Sequence, residues 1–195
     1  MSDPAVSRAA LRLSCKPSKA GNLLVFPYRL ENEGPGDVYA MHSLAIGAAA
    51  AEETAAVVIG ADSGDAVVGK LVPPLPTDRR VAVLVTPLGR RLAAGAAVEG
   101  RVEIKLPLAE ASPYFPDLTL RQYEMVELKG VVFTIAYWSV DTADLVARPS
   151  PDAPDLLRIM TADPAGVARL ASQRFPTNGL QLFRRSDAFP RTLPG

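Results

Sequence analysis

Apolar and polar residues alternate most regularly between Val98 and Leu106. Val98, Val102, Ile104 and Leu106 fall on one side, and Glu99, Arg101, Glu103 and Lys105 on the other. Successive side chains of an extended chain point to opposite faces, so the stretch predicts a strand with one buried and one wetted face. The same period runs through Leu24, Phe26, Tyr28 and Leu30. A second apolar segment, Val38 to Leu44, follows after Glu31-Asn32-Glu33-Gly34-Pro35-Gly36-Asp37. Gly and Pro there impose or tolerate bends, so the two segments predict a β-hairpin with a long loop.

Further strands follow by the same reasoning. Leu11 to Cys15 predicts a short first strand, and Val57-Val58-Ile59 with Ala66-Val67-Val68 predicts a second hairpin around Gly60 to Asp65. Pro73, Pro74 and Pro76 break the sheet pattern. Val81 to Val85 predicts a mostly buried strand. Met125 to Val140 predicts a long strand or a strand pair, with a bulge at Gly130. Ala45 to Ala56 is rich in alanine, but Gly47 and the β-branched run after it reduce the expectation to a helical turn within a loop. Pro107 to Pro116 predicts a long loop.

The C-terminal part carries a different signal. Asp163-Pro164 has the form of an N-cap followed by proline at the first helical position. Val167, Leu170, Ala171 and Arg174 follow at helical spacing, so a short helix is predicted from Pro164 to about Arg174. Asn178-Gly179 predicts a turn and Leu180 to Phe183 a last strand.

These elements predict a mainly all-β chain, an antiparallel β-sandwich of immunoglobulin or fibronectin-like type with a short C-terminal helix. A small β-barrel is the alternative. The expected organisation is a flexible arm over 1–10, the sandwich over 11–140, a Pro-rich linker over 141–155, and a C-terminal extension with the helix over 156–195.

Composition narrows the function classes. Hydrophobic residues make up 48% of the chain and aromatics only 6%, so a sizeable core must rest on Val, Leu, Ile and Ala. Basic and acidic residues balance at 21 each, which argues against a nucleic-acid binder that works by displacing counterions. Arginine greatly outnumbers lysine and alanine is abundant, a bias that points to a high-GC bacterial genome. Cys15 is the only cysteine, so no disulfide forms within the chain. The first residues show no signal-peptide core, and Val131 to Trp138 is too short to span a bilayer, which makes the cytoplasm the expected location.

Candidate chemistry is sparse. Gly64 to Lys70 follows the first seven positions of a Walker A loop, but Leu71 stands where Ser or Thr would hold magnesium, and Val72-Pro73-Pro74 cannot continue as a helix. His42 is the sole histidine, which denies a blue-copper or histidine-rich zinc site and leaves only a thiol–imidazole pair with Cys15 to consider. Asp62-Ser63-Gly64-Asp65 lacks the later glutamate of an EF-hand. Glu31, Glu33, Asp37, Glu52 and Glu53 lie in polar loops that show no sign of splitting carboxylate pKa values. No catalytic, metal or cofactor residues are assigned.

Binding residues remain. Arg79-Arg80, Arg90-Arg91 and Arg184-Arg185 would form an anion or partner patch if they converged, or would keep β edges soluble. Tyr114-Phe115 sits between Pro113 and Pro116, where a stiff loop would make the rings binding anchors or a cap over the protein's own core. The expected function is a non-enzymatic interaction or assembly module that binds a protein partner or itself through Tyr114, Phe115, Arg184 and Arg185. A small-molecule carrier with an apolar barrel cavity, lined by Tyr137 or Trp138, and an enzyme using carboxylates or a cofactor are the alternatives.

The alternation from Val98 to Leu106 carries its own test. Ile104→Ala should lower the unfolding free energy by about 2–5 kcal/mol, the usual range for a truncated core aliphatic, in denaturant melts. A loss under about half a kcal/mol, the level of an ordinary surface change, would refute a buried face.

Overall fold

The apolar run from Val131 to Trp138 is buried on both faces, and much of the described fold is arranged around it. The structure, a computed structural model, describes residues 11–46, 49–50, 56–59, 64–73, 85–114 and 123–185. Every regular element among them is a strand. In chain order these are β1 (Leu11–Cys15), β2 (Ser18–Ala20), β3 (Leu23–Asn32), β4 (Val38–Ile46), β5 (Ala49–Ala50), β6 (Ala56–Ile59), β7 (Asp65–Lys70) and β8 (Val85–Leu92). They continue as β9 (Ala97–Lys105), β10 (Leu108–Ala109), β11 (Tyr123–Glu127), β12 (Gly130–Ser139), β13 (Val146–Pro149), β14 (Leu157–Met160), β15 (Arg169–Pro176) and β16 (Gln181–Arg185).

Three sheets result, and none closes into a barrel among the described residues. In the front sheet β3 pairs with β9 along most of its length, while β1 and β2 share its other edge, one after the other. Pro17 lies between those two short strands and lacks the N–H to join them. The central sheet runs β13-β14-β8-β4-β12-β7-β6, with β15 on the free side of β12 and β5 against β4. A small sheet, β10-β16-β11, completes the set. Most pairs are antiparallel, but β7 and β12 pair in parallel, as do β10 and β16.

The front sheet has one apolar face. Phe26, Tyr28 and Leu30 of β3, with Val102 and Ile104 of β9, point into a core shared with Val131, Phe133, Ile135 and Tyr137 of β12. Phe26 and Phe133 stack with centroids 4.9 Å apart and planes 6° from parallel. The outer face carries Arg12, Arg29, Glu31, Glu99, Arg101 and Glu103, joined by ion pairs. The alternation read from Val98 to Leu106 is therefore the real division between core and water. The opposite side of β12 faces a second core, where Ala136 and the fully buried Trp138 meet Met41, Val67, Val85 and Ile159. Burial of both faces explains why β12 reads as a continuous apolar run and does not alternate.

Two sequence expectations change. β3 and β4 do not form a hairpin: they lie in different sheets, and the connection between them crosses the core edge. Asn32 makes that crossing possible. Its side chain is buried, its Nδ2 donates to the Gly36 and Leu92 carbonyls at 2.9 and 3.1 Å, and its Oδ1 accepts the Gly34 N–H at 3.1 Å. The crossing from β8 to β9 lies beside it, tied by Asn32 N–H to Ala96 O and Gly95 N–H to Asn32 O. A polar side chain that satisfies three backbone groups replaces the turn geometry a hairpin would have supplied.

The predicted helix from Pro164 to Arg174 is absent. Pro164–Val167 is a turn, and Arg169 to Pro176 is strand β15. Asp163 does act as a cap, accepting the Gly166 N–H on Oδ1 at 2.9 Å, but one turn is all it starts. From Arg169 onward the open edge of β12 offers a continuous antiparallel ladder, from Tyr137↔Arg169 to Gly130↔Pro176. An isolated helix of that length is marginal in water, so the ladder wins. The predicted hairpin around Gly60 to Asp65 does form, as β6 and β7. The Met125 to Val140 segment divides into β11 and β12, which belong to different sheets. The loop from Pro107 contains β10, and β13 lies within 141–155.

Several expectations fall on residues outside those described: the arm over 1–10, Glu52, Glu53, Asp62, Ser63, Arg79, Arg80, Val81 to Leu84, Phe115, Pro116 and the Arg185 side chain.

Gly69 is the tightest point of the parallel pair. Its φ is 141°, and a Cβ there would collide with the Thr134 carbonyl of β12. Gly95, at φ 74°, has open space around it. Gly95→Ala should cost about 1 kcal/mol, from backbone strain alone. Gly69→Ala should cost about 3 kcal/mol, from strain and collision together. Chemical denaturation of the two variants checks the difference, and equal losses would count against the close approach of β7 to β12.

Candidate functional site

A partly enclosed cavity lies on the side of the central sheet that faces away from the front sheet. It measures about 460 Å³. Val85 at the start of β8 and Ile159 of β14 form its floor, with Val72 and Pro73 beyond the end of β7. Tyr114 forms one wall and the segment from Met160 to Gly166 the other. The lining is mainly apolar, with polar groups from Tyr114, Thr86, Thr161 and Asp163.

Both walls are fixed by hydrogen bonds. Trp138 Nε1 donates to the Pro164 carbonyl at 3.0 Å, which ties the 160–166 segment to β12. The Asp163 carboxylate caps Gly166, and the Val167 N–H donates to the Asp163 carbonyl at 3.2 Å. Tyr114 is half-buried among the second core, its N–H donates to Ser112 Oγ at 3.3 Å, and its hydroxyl bonds to the Val85 backbone. Burial pushes its phenol pKa up, against the smaller opposing effect of that Val85 bond. Tyr114 is thus both part of the core's cover and part of the cavity's lining.

The other sequence-derived candidates do not gather here. Arg184 of β16 is ion-paired to its cross-strand neighbour Glu124 in the small sheet. Arg90 holds Asp155 at 2.8 Å, and Arg91 holds Asp37 at 2.7 Å. The Ala94 N–H also donates to Asp37, and these bonds, the backbone one foremost, hold its carboxyl below the usual range. Arg90 and Arg91 stitch loops to β8, and Arg184 joins two strands. Glu31 is held by Arg12 and Arg29, and Glu33 by Arg12.

Cys15 and His42 lie in different sheets. Cys15 is buried in the inter-sheet core, and burial pushes its thiol up to about 11. At neutral pH it is a thiol and a poor nucleophile. Its backbone N–H donates to Gln173 Oε1 at 2.9 Å, beside a wide, shallow groove. His42 is the extra residue of a bulge in β4, where the ladder to β8 shifts between Met41 and Ser43. Lys70, the lysine of the Walker-like string, is only 2% exposed at the end of a strand, with its Nζ 5.7 Å from the centre of the Tyr28 ring. That is strand and core geometry and not a phosphate-binding loop before a helix.

Sequence reasoning found Tyr114 but missed the opposite wall. Asp163-Pro164 was the available signal, since a capping carboxylate and a proline fix a turn as well as a helix. Among the described residues, no group of three or more His, Cys, Asp or Glu is placed to hold a metal ion. No helix is long and apolar enough to cross a membrane among those residues. No protein-family model, curated protein or solved structure matches the chain.

An ion pair between the buried Asp65 and the half-exposed Arg174 secures the lower end of β12. Arg174 of β15 grips Asp65 of β7 with two bonds, Nε to Oδ2 at 2.7 Å and Nη2 to Oδ1 at 2.9 Å. The pair passes over Gly130, where a Cβ would meet both groups at 2.8 Å. The Arg174 hydrogen bonds hold the Asp65 carboxyl below its ordinary value despite its burial. A depressed native pKa gives stability that is present above the unfolded value of about 4 and is lost as pH falls through the native one. Asp65→Asn should therefore cost about 1–3 kcal/mol at pH 7, and the gap to the unmodified chain should close on acidification. Urea melts at neutral and acid pH check this, and a gap that stays constant would contradict the pairing.

Proposed function

We propose that the chain is a non-enzymatic protein-interaction module on a β-sandwich of immunoglobulin or fibronectin-like type, and that it receives an apolar side chain of a protein partner in the cavity between Tyr114, Ile159 and Pro164. The carrying observation is an apolar cavity whose lining segment is followed along the chain by exposed apolar residues. Val167 follows Gly166 directly and is 38% exposed, and Leu170 is 44% exposed. Half-exposed apolar residues around a pocket suit a macromolecular surface, with a side chain seated in the pocket and its flanks excluding water. Trp138 and Asp163 hold the lip before any partner arrives, which reduces the ordering penalty on binding.

A small-molecule ligand is the second reading. The volume of about 460 Å³ falls in the range of such clefts, and it favours that reading as far as size alone goes. The exposed Val167 and Leu170 favour the protein partner, because a small ligand would leave them in water.

Trp138 is the only tryptophan and donates to the Pro164 carbonyl, so its emission senses changes in the lip through that bond. Titration with N-acetyl-leucine amide should give a saturable change in that emission. Ala162→Phe, which adds bulk from an exposed lining position, should abolish the change and leave the melting temperature within about 2 °C, as expected of a surface substitution. No saturable change, or a change that survives Ala162→Phe, would sink the reading.

A further inference from the structure

We propose that the cavity selects a partner segment in which the seated apolar side chain is followed by a lysine or arginine. The inference rests on the reading above, that the cavity takes a side chain of a protein partner. Among the described lining residues Asp163 alone carries a formal charge; the others are apolar, hydroxyl-bearing or glycine. Its carboxylate sits at the exposed lip, beside a floor of Val85 and Ile159. A segment that seats an aliphatic chain against that floor brings its next residue to the lip, where a cation meets a fixed negative charge.

Two observations characterise this carboxylate. Glu31, Asp37, Asp65, Glu124, Asp152 and Asp155 are each held by an arginine of the same chain. The bonds that the structure gives Asp163 are to backbone: Oδ1 accepts the Gly166 N–H, and the main-chain carbonyl accepts the Val167 N–H. The bond to Gly166 fixes the rotamer without neutralising the charge. A Cβ at Gly166 would collide with the carboxylate, so the glycine lets it lie flat against the turn. The result is a preset anion on an apolar rim. A neutral apolar segment gains nothing from it, and an acidic one is repelled.

The test uses the full chain and three capped peptides, acetyl-Ala-Leu-X-Ala-amide with X as Lys, Gln or Glu, titrated against Trp138 emission. The lysine peptide should bind about three- to fivefold tighter than the glutamine one, the size expected of an exposed charge pair, and the glutamate peptide should bind weakest. The ranking should shrink from low to high salt. Asp163→Asn keeps an amide oxygen for Gly166, so it should preserve the fold while removing the lysine preference. Equal binding of the three peptides, or a lysine preference that persists in Asp163→Asn, overturns the selection and leaves the cavity reading standing. If n-hexylamine binds more tightly than the lysine peptide, the occupant is a small organic cation and the proposed partner segment is wrong. If no peptide perturbs Trp138, this inference and the cavity reading fall together.

Discussion

The fold depends on one strand having no face toward water. β12 presents Phe133 and Tyr137 to the front sheet and Ala136 and Trp138 to the opposite side, and both of its edges are taken. A strand in that position can carry no charge and few polar groups. The exception among its buried positions is Thr134, whose hydroxyl shares a hydrogen bond with Ser172 of β15 at 3.0 Å. Much of the described structure covers this strand. The front sheet covers one face. The 160–166 segment, Tyr114 and the β14 residue Ile159 cover the other, and the cavity is the part of that cover that fits less closely.

The functional reading follows from that arrangement. The front sheet covers its side of β12 with a regular row of aromatic and aliphatic side chains from β3 and β9. The other side is covered by loops, whose backbone must satisfy its own hydrogen bonds and cannot pack as evenly. Trp138 joins the two requirements: its ring fills the core and its N–H holds the loop. A site at this place is therefore tied to β12 through the hydrogen bond from Trp138 to Pro164.

Local strand pattern was legible over much of the sequence, and strand partnership beyond the β6–β7 hairpin was not. Leu11–Cys15, the β6–β7 hairpin and the alternation in β9 could be read because period two is a local property. The fate of the Glu31 to Asp37 connection could not. Gly34, Pro35 and Gly36 serve a hairpin or a crossing between sheets equally well, and the decision rests with Asn32, which bonds to Leu92 far along the chain. The C-terminal helix failed for a related reason. Val167, Leu170, Ala171 and Arg174 fit a helix, but Ala171, Gln173 and Phe175 also fit one face of a strand, and only the open edge of β12 favours the second. At the site, Tyr114 was visible as an aromatic among prolines. Asp163 was visible only as a cap, because its role depends on Trp138 and Tyr114 lying across from it.

The parallel pairing of β7 with β12 has a consequence for how the protein is made. Synthesis proceeds from the N-terminus, so β7 leaves the ribosome with only β6 beside it. Its apolar Val67 and Val68 then have no sheet to join until the chain has been extended through Ser139, and Arg174 reaches Asp65 later still. Closure of the central sheet is thus a late event with long loops to bring together, which makes it slow. For that interval the edge of β7 that β12 later takes has no partner.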